Sequence, residues 1–405
     1  MSKTQDAYNQ NLKSLVVKTE NIKYGYYDDT LFNLKEIIIP YNKVISNVES
    51  ELTNDFKYLK EFRKENSDLI NYMVQEFQRK QSARDHKNEL ISKTGLIDPL
   101  KLHSYQLVDD IFLRKTTVKT GKSHGIVMFI DWSSSMHNCL AKTVEQLLMF
   151  TEFARKTNIN YQVFSFYDGN SAYARRNMNR VKEHCINVNG FHLIELLNSK
   201  MTKKDYDKMS EFLIKHGQNR AIHYGLNGTP LNEAVICAPK IINKFREDTK
   251  SEIVNVIYLT DGMSNYLKVG DCSSVFDLTY LTDVRSRLTI RIDEQLKYHR
   301  NVTPSLLKFT KDLMNVNIIG IHLVDSIYVL DNLLINLKNT INKSTNDALR
   351  QKFDENKIVT AKNLYGYDLW NVISSDYRVA NSDKMKYLGK RNQKVLLNKV
   401  IELIA

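Results

Sequence analysis

The chain has 405 residues, of which 42% are hydrophobic, and a formal net charge of +12. That length suits two or three domains with a sizeable core, no run approaches the roughly 18 consecutive apolar residues of a membrane span, and the opening MSKTQDAYNQ lacks the apolar stretch of a secretory leader. The cysteines Cys139, Cys185, Cys237 and Cys272 lie far apart with no CxxC pair, which argues against a zinc ribbon or a disulfide framework and points to a reducing cytoplasm. Most of the positive excess falls after residue 120, with small clusters at Arg175, Arg176, Arg180 and Lys182 and at Lys384, Lys386, Lys390, Arg391 and Lys394. Neither cluster interleaves aromatic residues and glycine as a single-strand binder does, so both read first as solvated surface.

From Val48 to Arg84 the apolar positions Leu52, Phe56, Leu59, Phe62, Leu69, Ile70, Met73 and Phe77 recur at helical spacing, with no glycine between Gly25 and Gly95. This predicts one or two long amphipathic helices within a helical N-terminal region, 1–91. Residues 92–122, with Gly95, Pro99 and Gly121, read as an irregular connector carrying short extended pieces such as Asp110 to Arg114. After it the pattern changes to strand, helix, strand. Gly125 to Ile130 is a continuous apolar run ending at Asp131, the mark of a strand buried on both faces. Tyr161 to Phe166, Ile253 to Leu259 and Asn317 to Leu323 repeat it, and helices follow at Leu140 and at Pro230, the latter a favourable first helical position. The expected fold is therefore α/β, a doubly wound and mostly parallel sheet with helices on both faces, over 123–380. Insertions are expected at about 170–226, with a helix near Lys203 to Lys215, and at 263–312. A polar helix around Leu333 to Phe353, a strand at Tyr367 to Ile373 and a basic helical tail at 381–405 complete the chain.

In such sheets ligands sit beyond the carboxyl ends of the strands. Asp131-Trp132-Ser133-Ser134-Ser135 follows a strand, Gly228-Thr229-Pro230-Leu231 precedes a helix, and Leu259-Thr260-Asp261-Gly262 ends a strand. Carboxylates and hydroxyls are hard oxygen donors, the kind Mg²⁺ prefers. This order resembles the von Willebrand factor A family and its metal-ion-dependent adhesion site (MIDAS) over roughly 123–326, with Ser134 where a smaller residue is usual. The resemblance implies metal ligation by Asp131, Ser133, Ser135, Thr229 and Asp261, with Mg²⁺ as the ion and Mn²⁺ as the alternative. It further implies an open coordination position that an Asp or Glu of a partner protein fills.

A narrower resemblance lies upstream. Ser92 to Asp98, Lys101 to Tyr105 and Asp110 to Phe112, followed by Asp131-Trp132-Ser133, are similar to the cobaltochelatase CobT-like A-domain proteins of bacteria and large tailed bacteriophages. That resemblance implies a MoxR-like AAA+ ATPase as partner and a host-cytoplasmic location, with no catalysis by this chain alone. A metal-dependent enzyme subunit and an RNA-binding A-domain protein are the alternative functions, and oligomer contacts through the N-terminal helix are a further expectation. Thr116 to Ser123 ends like a phosphate loop but lacks its first glycine and precedes a strand. No H-E-x-x-H occurs, Lys93-Thr94-Gly95 has no partner motifs, and Asp109-Asp110 has no acid-base partner. The sequence nominates no nucleophile.

Overall fold

The computed structural model describes residues 23–49, 55–87, 89–97, 99–101, 112–118, 123–167, 182–188, 191–218, 228–261, 264, 267–270, 273–274, 278–292, 302–324, 327–335, 343–374 and 400–402. Short runs of β-branched, aliphatic and aromatic residues make the strands, and segments apolar at every third or fourth position make the helices. In chain order these are β1 (Tyr24–Tyr27), α1 (Leu34–Ile37), β2 (Ile38–Ile39), α2 (Tyr41–Val48), α3 (Lys57–Lys87), β3 (Glu89–Ile97), β4 (Phe112–Val118), β5 (His124–Asp131), α4 (Leu140–Lys156) and β6 (Asn160–Tyr167). Then come β7 (Ile186–Asn187), β8 (His192–Asn198), α5 (Lys203–Gly217), α6 (Leu231–Thr249), β9 (Ile253–Thr260), β10 (Lys268–Val269) and β11 (Ser273–Ser274). The chain closes with β12 (Tyr280–Asp283), β13 (Thr289–Arg291), α7 (Thr303–Met314), β14 (Asn317–Val324), α8 (Ile327–Ile335), α9 (Lys343–Asn356), β15 (Ile358–Leu364) and β16 (Tyr367–Ser374).

The central sheet has eight strands in the order β15-β16-β14-β9-β5-β6-β8-β2. All neighbours are parallel except β15 with β16 and β6 with β8. Helices cover both faces, as the sequence predicts. Along β5, Val127 and Phe129 enter a core with α6, α7 and α9, while Ile126, Met128 and Ile130 enter a second core with α2, α3, α4 and α5. This double burial explains the unbroken apolar run. Phe129 stacks on Phe164 at 5.8 Å and on Tyr258 at 5.1 Å, which ties the three middle strands together. Gly320 in β14 is required by packing: a Cβ there would lie 2.9 Å from the Tyr367 ring.

Several segments differ from expectation. The stretch read as an insertion at 170–226 supplies β8, a strand of the central sheet itself, whose Leu193, Ile194, Leu196 and Leu197 are buried. Its apolar run is broken by Glu195 into two pairs, Leu193-Ile194 and Leu196-Leu197, too short to mark a buried strand as the unbroken run of β5 does. The stretch 263–312 contributes β12 and β13, which join β1 in a small side sheet, together with α7. Residues 92–122 include most of an antiparallel ribbon, β3 with β4, with its register shifting between Lys93 and Ile97. Within 1–91, α3 forms as the long helix expected, but β1 and β2 add strands, and β2 pairs with β8 at the edge of the main sheet. The polar helix expected near 333–353 is two helices, α8 and α9. Of the tail, Val400 and Ile401 are helical and buried against the α3–α4 core; residues 375–399 lie outside the described set.

The helix pair α6–α7 contains one further local solution. Pro239 interrupts the hydrogen-bond ladder of α6 and leaves the carbonyl of Val235 without its helical donor. The Thr310 hydroxyl, from α7, donates to that carbonyl at 3.2 Å.

Candidate metal centre

Asp131 is the last residue of β5, and its carboxylate is fully buried. The chain turns sharply there. The Ser133 amide donates to Asp131 Oδ1 at 3.0 Å, and a 3-10 turn over Ser134–Asn138 carries the backbone into α4. That turn brings Ser133 Oγ and Ser135 Oγ to 2.9 Å of each other. Ser135 Oγ then donates to Asp261 Oδ1 at 3.1 Å. Asp261 directly follows β9, the strand beside β5, so the two carboxylates are neighbours because their strands are.

Four of the five residues singled out by the sequence are therefore in one hydrogen-bonded group: Asp131, Ser133, Ser135 and Asp261. Thr229 lies half-buried just before α6. It is tied to this rim through its backbone, whose carbonyl accepts from Ser264 Oγ at 3.3 Å. Ser264 Oγ also accepts from the Asn232 amide at 2.8 Å, which fixes the start of α6 against the segment after Asp261.

Sequence reasoning missed Thr260. Its hydroxyl donates to Asp131 Oδ2 at 2.6 Å and is completely buried. The signal was its place in β9: Ile130 pairs with Leu259, so the next rank aligns Asp131 with Thr260. Trp132, between the two ligand-type residues, is buried with its ring 4.8 Å from that of His216 on α5. That contact anchors the loop to the helical layer.

The electrostatics of the site are unbalanced. Burial, with the nearby Asp261 charge second, pushes the Asp131 carboxyl up to about 7, against the hydrogen bonds from Thr260 and Ser133 that favour its charged form. The donor set holds only carboxylate and hydroxyl oxygens, and the hydrogen bonds to Asp131 come from a hydroxyl and an amide. A divalent cation fits this set: it offsets both the burial and the mutual repulsion of the acids. Among the described residues, no group of three or more His, Cys, Asp or Glu gathers as a metal site.

The other motifs have structural settings. Cys139, Cys185 and Cys237 are buried and unpaired by disulfide, and burial pushes the Cys237 thiol well above its ordinary value. Lys182 bonds Asp28 at 3.2 Å. Lys93 to Gly95 lie within β3. Arg175, Arg176, Arg180, the Lys384–Lys394 cluster, Cys272 and Asp109-Asp110 lie outside the described residues. Among the described residues no helix is long and apolar enough to cross a membrane.

No protein-family profile matches the chain, and no curated protein sequence matches it. Solved structures do match. The pilus adhesin SpaC from Lactobacillus rhamnosus GG, in its open conformation, shares 13% identity over 70% of this chain and 31% of its own length, at a TM-score of 0.33. The vWF domain of the type V pili tip protein Mfa5 from Porphyromonas gingivalis shares 10% identity over 69% of this chain and 97% of that domain, at 0.30. The human COPII-coat protein Sec24c shares 8% over 60% of this chain and 33% of its length, at 0.27. This chain thus spans about a third of the length of SpaC.

Proposed function

We propose that this protein is a Mg²⁺-dependent interaction module in which Asp131, Ser133, Ser135, Thr229 and Asp261 hold the ion and a partner's Asp or Glu completes its coordination. The observation that carries this reading is the continuous hydrogen-bonded group from Ser133 through Ser135 to Asp261, set beside a buried carboxylate whose charge is disfavoured without a counterion. The hydroxyls hold the ion without neutralising it, so an incoming carboxylate is attracted. Mn²⁺, with similar oxygen preference, is the alternative ion. Trp132 and Thr260 hold Asp131 and the loop in place.

The partner class we assign is a MoxR-like AAA+ ATPase in a chelatase-like or remodelling assembly, with the energy-consuming step belonging to that partner. This part rests on the resemblance carried by Ser92 to Asp98, Lys101 to Tyr105 and Asp110 to Phe112. The test is in two stages. Mn²⁺ titration followed by electron paramagnetic resonance should show one bound ion in the wild type, displaced by Mg²⁺, and none in Asp131→Ala. A pull-down from native lysate, with Mg²⁺ or with EDTA, should then recover an ATPase with wild type in Mg²⁺ alone. Equal recovery in EDTA and by Asp131→Ala would make the metal irrelevant to binding.

A further inference from the structure

Between the N-terminal ends of α3 and α4 and the C-terminal end of α5 lies a cavity of about 350 Å³, within the range of small ligand sites. Its wall is mixed: Phe62, Val144 and Leu148 are buried beside the buried Asn66, with Lys142 in the same lining. Its mouth carries Glu61 and Glu65, exposed on successive turns of α3. Like charges four residues apart on a helix repel each other.

The more buried acids of this helical layer are engaged. Arg63 bonds Glu152 and Asp207 at 2.8 and 2.7 Å, Glu211 accepts from the Leu59 amide at 2.9 Å, and Lys142 pairs with Glu145 inside the cavity wall. Glu61 and Glu65, among the described residues, pair with none of these cations. A slot with Phe62 in its wall and two free carboxylates at its rim matches a lysine or arginine: the aliphatic stem lies along Phe62, and the cationic head meets the glutamates.

The cavity is also close to the metal centre along the chain. Ser135 and Lys142 are seven residues apart through one 3-10 turn and the start of α4, a helical rise of about 12 Å. An extended peptide covers that distance in about four residues. We infer that this cavity is the second half of a two-point docking site, receiving a Lys or Arg of the same partner segment whose acidic residue reaches the metal centre, up to about four positions away. This inference rests on the proposed function of that centre.

The test uses the full chain as bait for a displayed library of random 12-residue peptides, bound in Mg²⁺ and eluted with EDTA. On the wild type, eluted peptides should pair an Asp or Glu with a Lys or Arg at one fixed offset. On the Glu61→Gln/Glu65→Gln double variant, the acidic residue should persist while enrichment of the basic residue falls about tenfold, the loss of one charge-assisted contact. Both substitutions are at exposed positions, and an unchanged melting temperature verifies the fold. Acidic peptides eluted by EDTA without a basic residue at fixed offset, or with one that survives the double substitution, would overturn the cavity and leave the metal centre standing. Peptides that EDTA fails to elute and that Asp131→Ala still binds would remove the metal-centre reading, and the two-point site with it.

Discussion

Two groups of buried acids in this molecule are built on opposite terms. In the helical layer, Glu152 and Asp207 share Arg63, and the fully buried Glu211 caps the first turn of α3 through the Leu59 amide. Each charge there has a protein partner, and the group serves to fasten the N-terminal helix to α4 and α5. At the carboxyl edge of the sheet, the buried Asp131 accepts from the Thr260 hydroxyl and the Ser133 amide, yet burial and the Asp261 charge still disfavour its charged form. The first group is complete as folded. The second leaves a buried carboxyl whose charged form is disfavoured, the setting that the proposed cation would relieve.

The sharpest way to break this contrast is to neutralise one acid on the open side. In EDTA at pH 7.5, Asp131→Asn should be more stable than wild type by up to about 4 kcal/mol, the value of holding that carboxyl near 7 instead of near 4. Urea midpoints would measure it, and Mg²⁺ should stabilise wild type but leave the variant unmoved. A variant that is less stable in EDTA would mean that Asp131 is satisfied without metal.

The same variant exposes a second titration. His322, one strand beyond Thr260 in the same rank, is fully buried among Tyr365, Tyr367 and Trp370 with neither ring nitrogen hydrogen-bonded, and burial lowers it to about 4. A histidine whose folded value is depressed stabilises above its unfolded value near 6.5 and loses that contribution as pH falls toward 4. Asp131, raised in the fold, contributes fully below about 4 and loses its contribution as pH rises through about 7. The two slopes oppose each other in metal-free wild type. In Asp131→Asn with EDTA, the loss from pH 6.5 to 4 should emerge at about 3 kcal/mol, and His322→Phe should abolish it.

On the closed side, Arg63→Ala should destabilise by about 2 kcal/mol, because it strands Glu152 and Asp207, whose side chains are only 11% and 14% exposed. Its Mg²⁺-induced stabilisation should equal that of the wild type. Loss of the Mg²⁺ response would mean that the helical layer and the metal centre are energetically one unit.

The sequence made the site legible because its residues sit at the ends of buried strands. The apolar runs before Asp131 and Asp261 mark both strands, and the strands' adjacency does the rest. Likewise α3 is legible from its unbroken helical spacing. Thr260 was not, since its bond to Asp131 depends on the register of β5 against β9, which no local pattern encodes. The strand β8 was missed because Glu195 breaks its apolar run into two short pairs, and β1 and β2 because four and two residues are too few to carry a pattern. The free pair at Glu61 and Glu65 looked like ordinary solvated helix surface until α4 and α5 packed beside it.

Pro239 and Thr310 bear on how this chain can vary. The proline withdraws a donor from the Val235 carbonyl and a threonine on another helix restores it, so the two positions form one unit of inheritance. Losing the threonine alone leaves a buried acceptor unmet, whereas replacing both, with a helix former at 239 and a valine at 310, returns the ladder its own amide. Distant versions of this sequence should therefore keep both residues or neither.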